Sequence, residues 1–303
     1  MQIEMTTVLT DAQKRAVAAL SARVHAHDGT FKQIYLSNQL NAVPTMGTFF
    51  MTYADAALVG FLMNYADGPA DEAAELSVIV DPTYRRQGLA TALIAAARAE
   101  LARFGYRQAT FVTERAFLQA NPTFLTQTGL TADPDSEFQM SCPRPPATEY
   151  VLPAPYDLRL MVAADLPTLV QQQVAAFRDT DVAATTRYLQ AGLADPNIRQ
   201  YVLVDAAGAI LGSSAVDTTD QYYFFGLFIV ATARGRGYGT MMVRAMIEAL
   251  RQLQPRPMQL AVASDNPVAH HVYLKVGFRE ETEVIYLDAP KPAGLTIETH
   301  DCW

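Results

Sequence analysis

The chain has 303 residues, half of them hydrophobic and 18% charged, with a formal net charge of −8. That length suits two domains of ordinary size, each with its own core, and the composition excludes a disordered chain. An acidic balance without a basic patch excludes ordinary nucleic-acid binders and weakly favours cationic partners such as amines.

Cys142 and Cys302 are the only cysteines. They give no disulfide framework and no zinc spacing, so no metal is expected. The N-terminal residues lack the basic and apolar regions of a signal peptide. No apolar run reaches the roughly 20 residues of a membrane span. A cytoplasmic protein without a membrane partner is expected.

In chain order, residues 1–9 read as an entry strand. Asp11 then caps a helix through about His27, with Ala16, Val17, Leu20 and Val24 on its apolar side. A short helix is expected around Lys32 to Leu40. Strands follow at 48–53, 57–65 and 74–80, the first two forming a hairpin. Leu89 to Phe104 is an Ala-rich helix stopped by Gly105. A strand at 108–113, a broken helix at 116–128 and a closing strand at 137–141 complete the first half.

Five prolines between Cys142 and Tyr156 mark an extended linker. The expected division is a first domain at 1–144, a linker at 145–156, a second domain at 157–288 and a tail at 289–303. The second half repeats the order: strand 158–161, helices 163–177 and 181–193, hairpin 199–216, strand 222–230, helix 238–253, strand 258–263, helix 266–276 and strand 278–287. This alternation implies an α/β (α+β) class with a mixed sheet in each half.

One stretch occurs twice, roughly half the chain apart. Glu75 to Val80 leads into Arg85-Arg86-Gln87-Gly88-Leu89-Ala90, and Phe224 to Val230 leads into Arg234-Gly235-Arg236-Gly237-Tyr238-Gly239-Thr240. Each is an apolar strand, a turn spelled Arg-x-x-Gly-x-Gly/Ala, then a long helix. The first N–H groups of that helix have no internal partner, and with the helix dipole they offer a seat for phosphate or pyrophosphate. The glycines let a ligand approach the backbone, and the arginines add positive charge. Tight strand-to-helix packing alone would also use such glycines. Neither copy has a P-loop ending or the dinucleotide-binding spacing.

This pattern resembles the acetyl-CoA signature of the GNAT superfamily of N-acetyltransferases, and the resemblance extends over both halves. It is strongest from Phe224 to Phe278, where Asn266-x-x-Ala269-x-x-x-Tyr273-x-x-x-Gly277-Phe278 is similar to a second signature of the superfamily. The resemblance implies a mostly antiparallel sheet that splays at one parallel strand pair, where acetyl-CoA (CoA) wedges in. It implies that Phe228, Ile229 and Val230 offer a backbone N–H to the thioester carbonyl. The Arg234–Thr240 and Arg85–Ala90 turns would hold pyrophosphate, Asn266 and Ala269 would lie on the cofactor arm, and Tyr273 would protonate the leaving thiolate. The alternative is an ordinary core tyrosine.

The first half lacks that tyrosine, since Leu125 aligns with Tyr273. It is therefore expected to be non-catalytic. Glu75 stands where many relatives carry the general base, while the second half has Phe224 there. Asp217, Asp220, His270 and His271 are the other candidates.

The tandem architecture is similar to that of the mycothiol synthases. The expected activity is acetyl transfer to an amine of a small molecule or a peptide N-terminus, by direct attack in a ternary complex. A non-catalytic acyl-CoA sensor or interaction module is the alternative.

Overall fold

A computed structural model describes residues 2–143, 149–178, 180–219 and 221–288. Asp220, the expected tail 289–303 and linker positions 145–148 lie outside the described residues. Two compact units result: the residues up to Ser136 together with those from Thr282, and Glu137–Glu281.

The first unit contains β1 (Ile3–Thr6), α1 (Asp11–Asp28), β2 (Phe49–Ala54), β3 (Ala57–Tyr65), β4 (Ala73–Val80), α2 (Leu89–Arg103), β5 (Gln108–Glu114), α3 (Arg115–Ala120) and α4 (Phe124–Thr128). Strands β1 to β4 pair antiparallel in sequence order, and β4 pairs parallel with β5. Thr10, rather than Asp11, caps α1: its hydroxyl accepts from the Gln13 N–H, while the Gln13 side chain takes the Thr10 N–H at 2.9 Å. Helix α1 lays Val17, Leu20 and Val24 on Phe49, Met51 and Phe61. Helix α2 lays Leu93, Ala97 and Leu101 on the opposite face, against Phe50, Leu62 and Leu76. Leu20 and Leu93 are fully buried, so truncating either to alanine costs about 3 kcal/mol.

The helix expected around Lys32 to Leu40 is absent, and those residues have no regular structure. Ile34 and Leu36 both pack on the α1-side core. Residues two apart share a face in an extended chain, not in a helix.

The second unit contains β7 (Asp157–Leu160), α5 (Leu166–Phe177), α6 (Val182–Ala194), β8 (Ile198–Val204), β9 (Ile210–Asp217), β10 (Tyr222–Ile229), α7 (Tyr238–Leu253), β11 (Met258–Ala263) and α8 (Pro267–Lys275). Strands β7 to β10 pair antiparallel in order, and β10 pairs parallel with β11. Helices α7 and α8 cover one face, burying Met242, Met246, Leu250, Tyr273 and Val276 with Phe224, Leu260 and Val262. Helices α5 and α6 cover part of the other through Leu169, Val170 and Leu189, with Val202 and Phe228.

The closing strands are exchanged. Strand β6 (Thr131–Cys142) begins in the first unit, but its residues Glu137–Cys142 pair antiparallel with β11 in the second. Strand β12 (Arg279–Asp288) returns the exchange: Val284–Asp288 pair antiparallel with β5 in the first unit. The units therefore differ from a contiguous division at the proline-rich stretch. Hydrophobic alternation fixes which face of a strand is buried but not which sheet receives it. Among the described residues no helix is long and apolar enough to cross a membrane.

Candidate active site

In the second unit β10 and β11 pair only from Tyr222/Met258 to Phe224/Leu260. Strand β10 runs on to Ile229 and β11 to Ala263, so the two part and leave a cleft. Within this stretch β10 carries one extra residue: Phe225 faces Ala215, but Phe228 faces Ser213. Gly226, at φ 63°, makes this bulge possible. A glycine inside an aromatic strand is the sequence signal that marks it.

Past the bulge, the Val230 N–H donates to the Leu211 carbonyl at 2.9 Å. Backbone groups alternate along a strand, so the Phe228 N–H also faces β9, while that of Ile229 faces the edge from which β11 has parted. The Ile229 carbonyl shares this side and accepts from Arg234 Nε at 2.9 Å. Of the three N–H groups expected at the thioester carbonyl, the one aimed into the cleft is that of Ile229.

Beyond Ile229 the chain turns through Arg234-Gly235-Arg236 into α7. Gly237 caps the helix at φ 81°, with no side-chain hydrogen bond to the first amides. A Cβ on Gly235 or Gly237 would meet nothing within 4 Å. Open amides, the positive end of the dipole and free space together fit an anionic group. Tyr238, first in the helix, has its hydroxyl 2.8 Å from that of Tyr156. Gly239 and Thr240 continue the first turn.

Helix α8 begins at Asn266, whose side-chain oxygen accepts from the Ala269 N–H at 3.1 Å. The Asn266 amide nitrogen makes no hydrogen bond among the described residues. Tyr273, two turns on from Asn266, is 7% exposed and packs edge-on to Phe278 at 6.0 Å between ring centres. Its hydroxyl makes no hydrogen bond among the described residues. Burial, and then the neighbouring Tyr223, push its pKa up to about 12, so it stays a neutral phenol with a proton to give.

Of the other base candidates, His270 and Asp217 lie against partners. His270 Nε2 lies 2.7 Å from the Glu280 carboxylate, and its ring packs 5.0 Å from Phe138. Asp217 accepts the Thr219 N–H at 2.8 Å. His271 is exposed on α8.

The first unit repeats much of this frame. Strands β4 and β5 pair only as far as Leu76/Phe111, and Gly88 caps α2 at φ 81°. Arg85 Nε donates to the Val80 carbonyl at 3.1 Å, the counterpart of Arg234 on Ile229. It differs in four respects. Strand β4 pairs with β3 without a bulge. Arg86 takes a positive φ of 62° where Gly235 stands in the second unit. The Arg85 guanidinium is held by Asp28. Leu125 replaces the tyrosine. Gln87, Leu89 and Ala90 complete this turn and the start of its helix. Glu75 belongs to β4, opposite Tyr65 and Thr110, and so to the unit without the tyrosine.

A family model described as Acetyltransferase (GNAT) family matches residues 15–124 and again 166–278. The chain belongs to the GNAT family. A GCN5-related N-acetyltransferase from Sphaerobacter thermophilus has a similar fold, with a TM-score of 0.71 at 16% identity over 94% of this chain and 95% of that one. A tandem GNAT protein from the clavulanic acid biosynthesis pathway, solved without AcCoA, gives 0.68 at 18% identity over 96% and 100%. A GCN5-related glucosamine N-acetyltransferase region of a fungal multi-domain GH3 β-N-acetylglucosaminidase gives 0.63 at 13% identity, over 94% of this chain and 38% of that one. No curated protein matches in sequence. This GNAT chain is thus a tandem of two GNAT-like repeats, each built on a mostly antiparallel sheet flanked by helices.

Proposed function

We propose that this GNAT chain transfers an acetyl group from acetyl-CoA to an amine, at the cleft of the second unit. The observation that carries the reading is the convergence, in that unit alone, of a bulged and parted strand, a helix start with open amides and a tyrosine hydroxyl without a partner. Acetyl-CoA supplies the acetyl group as an activated thioester.

The amides at the start of α7, with Arg234 and Arg236 beside them, would hold its pyrophosphate. The Ile229 N–H is the donor available to the thioester carbonyl, a fixed dipole of the kind that stabilises developing oxyanion charge. Asn266 and Ala269 line the cofactor arm. Tyr273 keeps its proton at neutral pH and can give it to the departing sulfur. The acceptor is an amine of a small molecule or a peptide N-terminus, held beside the thioester so that attack is direct. The first unit, without bulge or tyrosine, acts as scaffold and as the source of a strand.

Calorimetric titration with acetyl-CoA tests this reading. Wild type should bind, and Gly237→Glu should lose the site in the second unit, because its carboxylate occupies the anion seat. Absence of binding by wild type overturns the reading. Binding without transfer to any amine favours a non-catalytic acyl-CoA sensor.

A further inference from the structure

An alkylamine meets its enzyme as an ammonium ion, with an ordinary pKa near 10.4, and cannot attack until it loses a proton. The second unit has no glutamate at the strand position where the first unit carries Glu75. Strand β6 brings one from elsewhere in the chain.

Phe138, Met140 and Cys142 of β6 pack with the core under α7 and α8. Alternation turns Glu137, Gln139 and Ser141 to the opposite face. On that face β11 presents Gln259, Ala261 and Ala263, with Glu137 opposite Ala263 and Gln139 opposite Ala261. Strand β10 presents Tyr223 there, paired with Gln259. Between Tyr223 and the β6 side chains, the carboxyl-terminal end of β11 thus carries only two methyl groups, at the level where β10 and β11 have parted.

One observation points to a ligand on this floor. Gln139 is 9% exposed, and its side-chain amide oxygen accepts no hydrogen bond among the described residues. A buried acceptor without a donor is costly, and an N–H from a ligand would satisfy it. The negative charge of Glu137 reaches the Tyr223 hydroxyl, and Tyr223 in turn influences Tyr273. Glu137 therefore shares this face with the Tyr223 hydroxyl, within electrostatic range of it.

We propose that Glu137 and Gln139 form the ammonium-binding subsite of the second unit, and that Glu137 takes the proton that frees the attacking amine. This rests on the acyl-transfer reading above. One ammonium proton passes to the Glu137 carboxylate and on to solvent. The nitrogen lone pair forms the new C–N bond. The C–S bond breaks with its electron pair on sulfur, which takes the Tyr273 proton. A second nitrogen proton, made acidic by bond formation, restores the Tyr273 phenol, and the third remains on the amide.

The test uses the full chain with hexylamine, glucosamine and an alanyl-peptide amide as probes. CoA thiol release is followed as a function of pH, and probe binding is measured by calorimetry without acetyl-CoA. For the probe that wild type acetylates best, Glu137→Gln should lower transfer at neutral pH by about a hundredfold. The remaining rate should rise with the free-amine fraction up to the amine's own pKa. Binding of the ammonium probe should weaken in this variant, while binding of the matching alcohol and of acetyl-CoA holds. Gln139→Leu should weaken ammonium binding without changing the shape of the pH profile.

Wild-type rates, pH profile and ammonium binding in Glu137→Gln overturn the assignment alone, as does an equal loss for ammonium and alcohol. A wild-type chain that binds acetyl-CoA yet acetylates none of the probes overturns the acyl-transfer reading, and the assignment with it.

Discussion

Arg85 grips Asp28 with both terminal guanidinium nitrogens, at 2.7 and 2.6 Å. The matching arginine of the second unit, Arg234, uses its Nε on Ile229 and has no carboxylate partner among the described residues. The same turn thus ends in a neutralised cation in one unit and an available one in the other. A bound anion needs the latter.

Asp28→Asn should destabilise the first unit by about 2 kcal/mol, since the acid side chain is 5% exposed and its partner would be left uncompensated. Burial alone would raise the Asp28 pKa, but the hydrogen bonds from Arg85 and His27 more than offset it and hold the carboxyl below its ordinary 3.8. The stabilisation is therefore full above pH 3.8 and is lost as pH falls through the lower folded value. Denaturant titrations at neutral and acid pH should show the wild-type advantage over Asp28→Asn shrink on acidification.

Tyr273→Phe removes a hydroxyl that bonds to nothing described and leaves the ring in place. Stability should change by less than about 0.5 kcal/mol, while transfer falls about a hundredfold with acetyl-CoA affinity retained. Paired calorimetry and thiol-release assays check both halves of that expectation. A destabilised variant with proportionate loss of binding would instead make Tyr273 a core residue.

Alkali should loosen the second unit. Burial lifts Tyr273 and Tyr223 to about 12, with Tyr223 as the lesser cause at Tyr273 and Glu137 at Tyr223. Unfolded, each ionises near 10.0. Raised folded values contribute stability that is complete below pH 10 and lost as pH climbs through about 12. For buried Tyr273 the loss is about 3 kcal/mol. Melting curves across this range should show the fall, reduced in Tyr273→Phe.

Two glycines two positions apart should respond differently. Gly237 holds φ 81°, so alanine there costs about 1 kcal/mol in strain. The displaced backbone should also weaken acetyl-CoA binding. Gly239 is helical, and a Cβ there would lie at an ordinary 3.6 Å from Val272. The first unit carries Ala90 at the matching place, so Gly239→Ala should bind as wild type does.

Local chemistry was legible in the sequence. The Arg-x-x-Gly turns, helix α7 from Tyr238 to Leu253 and strand β11 from Met258 to Ala263 follow from glycine, proline and apolar period alone. Asn266 reads as a cofactor contact, and its side-chain oxygen also caps α8. Partnership between distant segments was not legible. Glu137 reads as the start of a closing strand of its own half, because a strand's pattern carries its burial but not its neighbour. Asp28 likewise gives no sign that Arg85, 57 residues away, is its partner.

The exchange of closing strands also sets an order of events during synthesis. The second unit's sheet can close as soon as β11 has been made, because Glu137–Cys142 already exist. The first unit has to wait for Thr282–Asp288, which are translated after the whole of the second unit. Until then β5 presents a bare edge, with backbone donors and acceptors open to any passing strand. The half made first is therefore completed last, and loss of β12 through a truncated message would leave its edge permanently open to association with other chains.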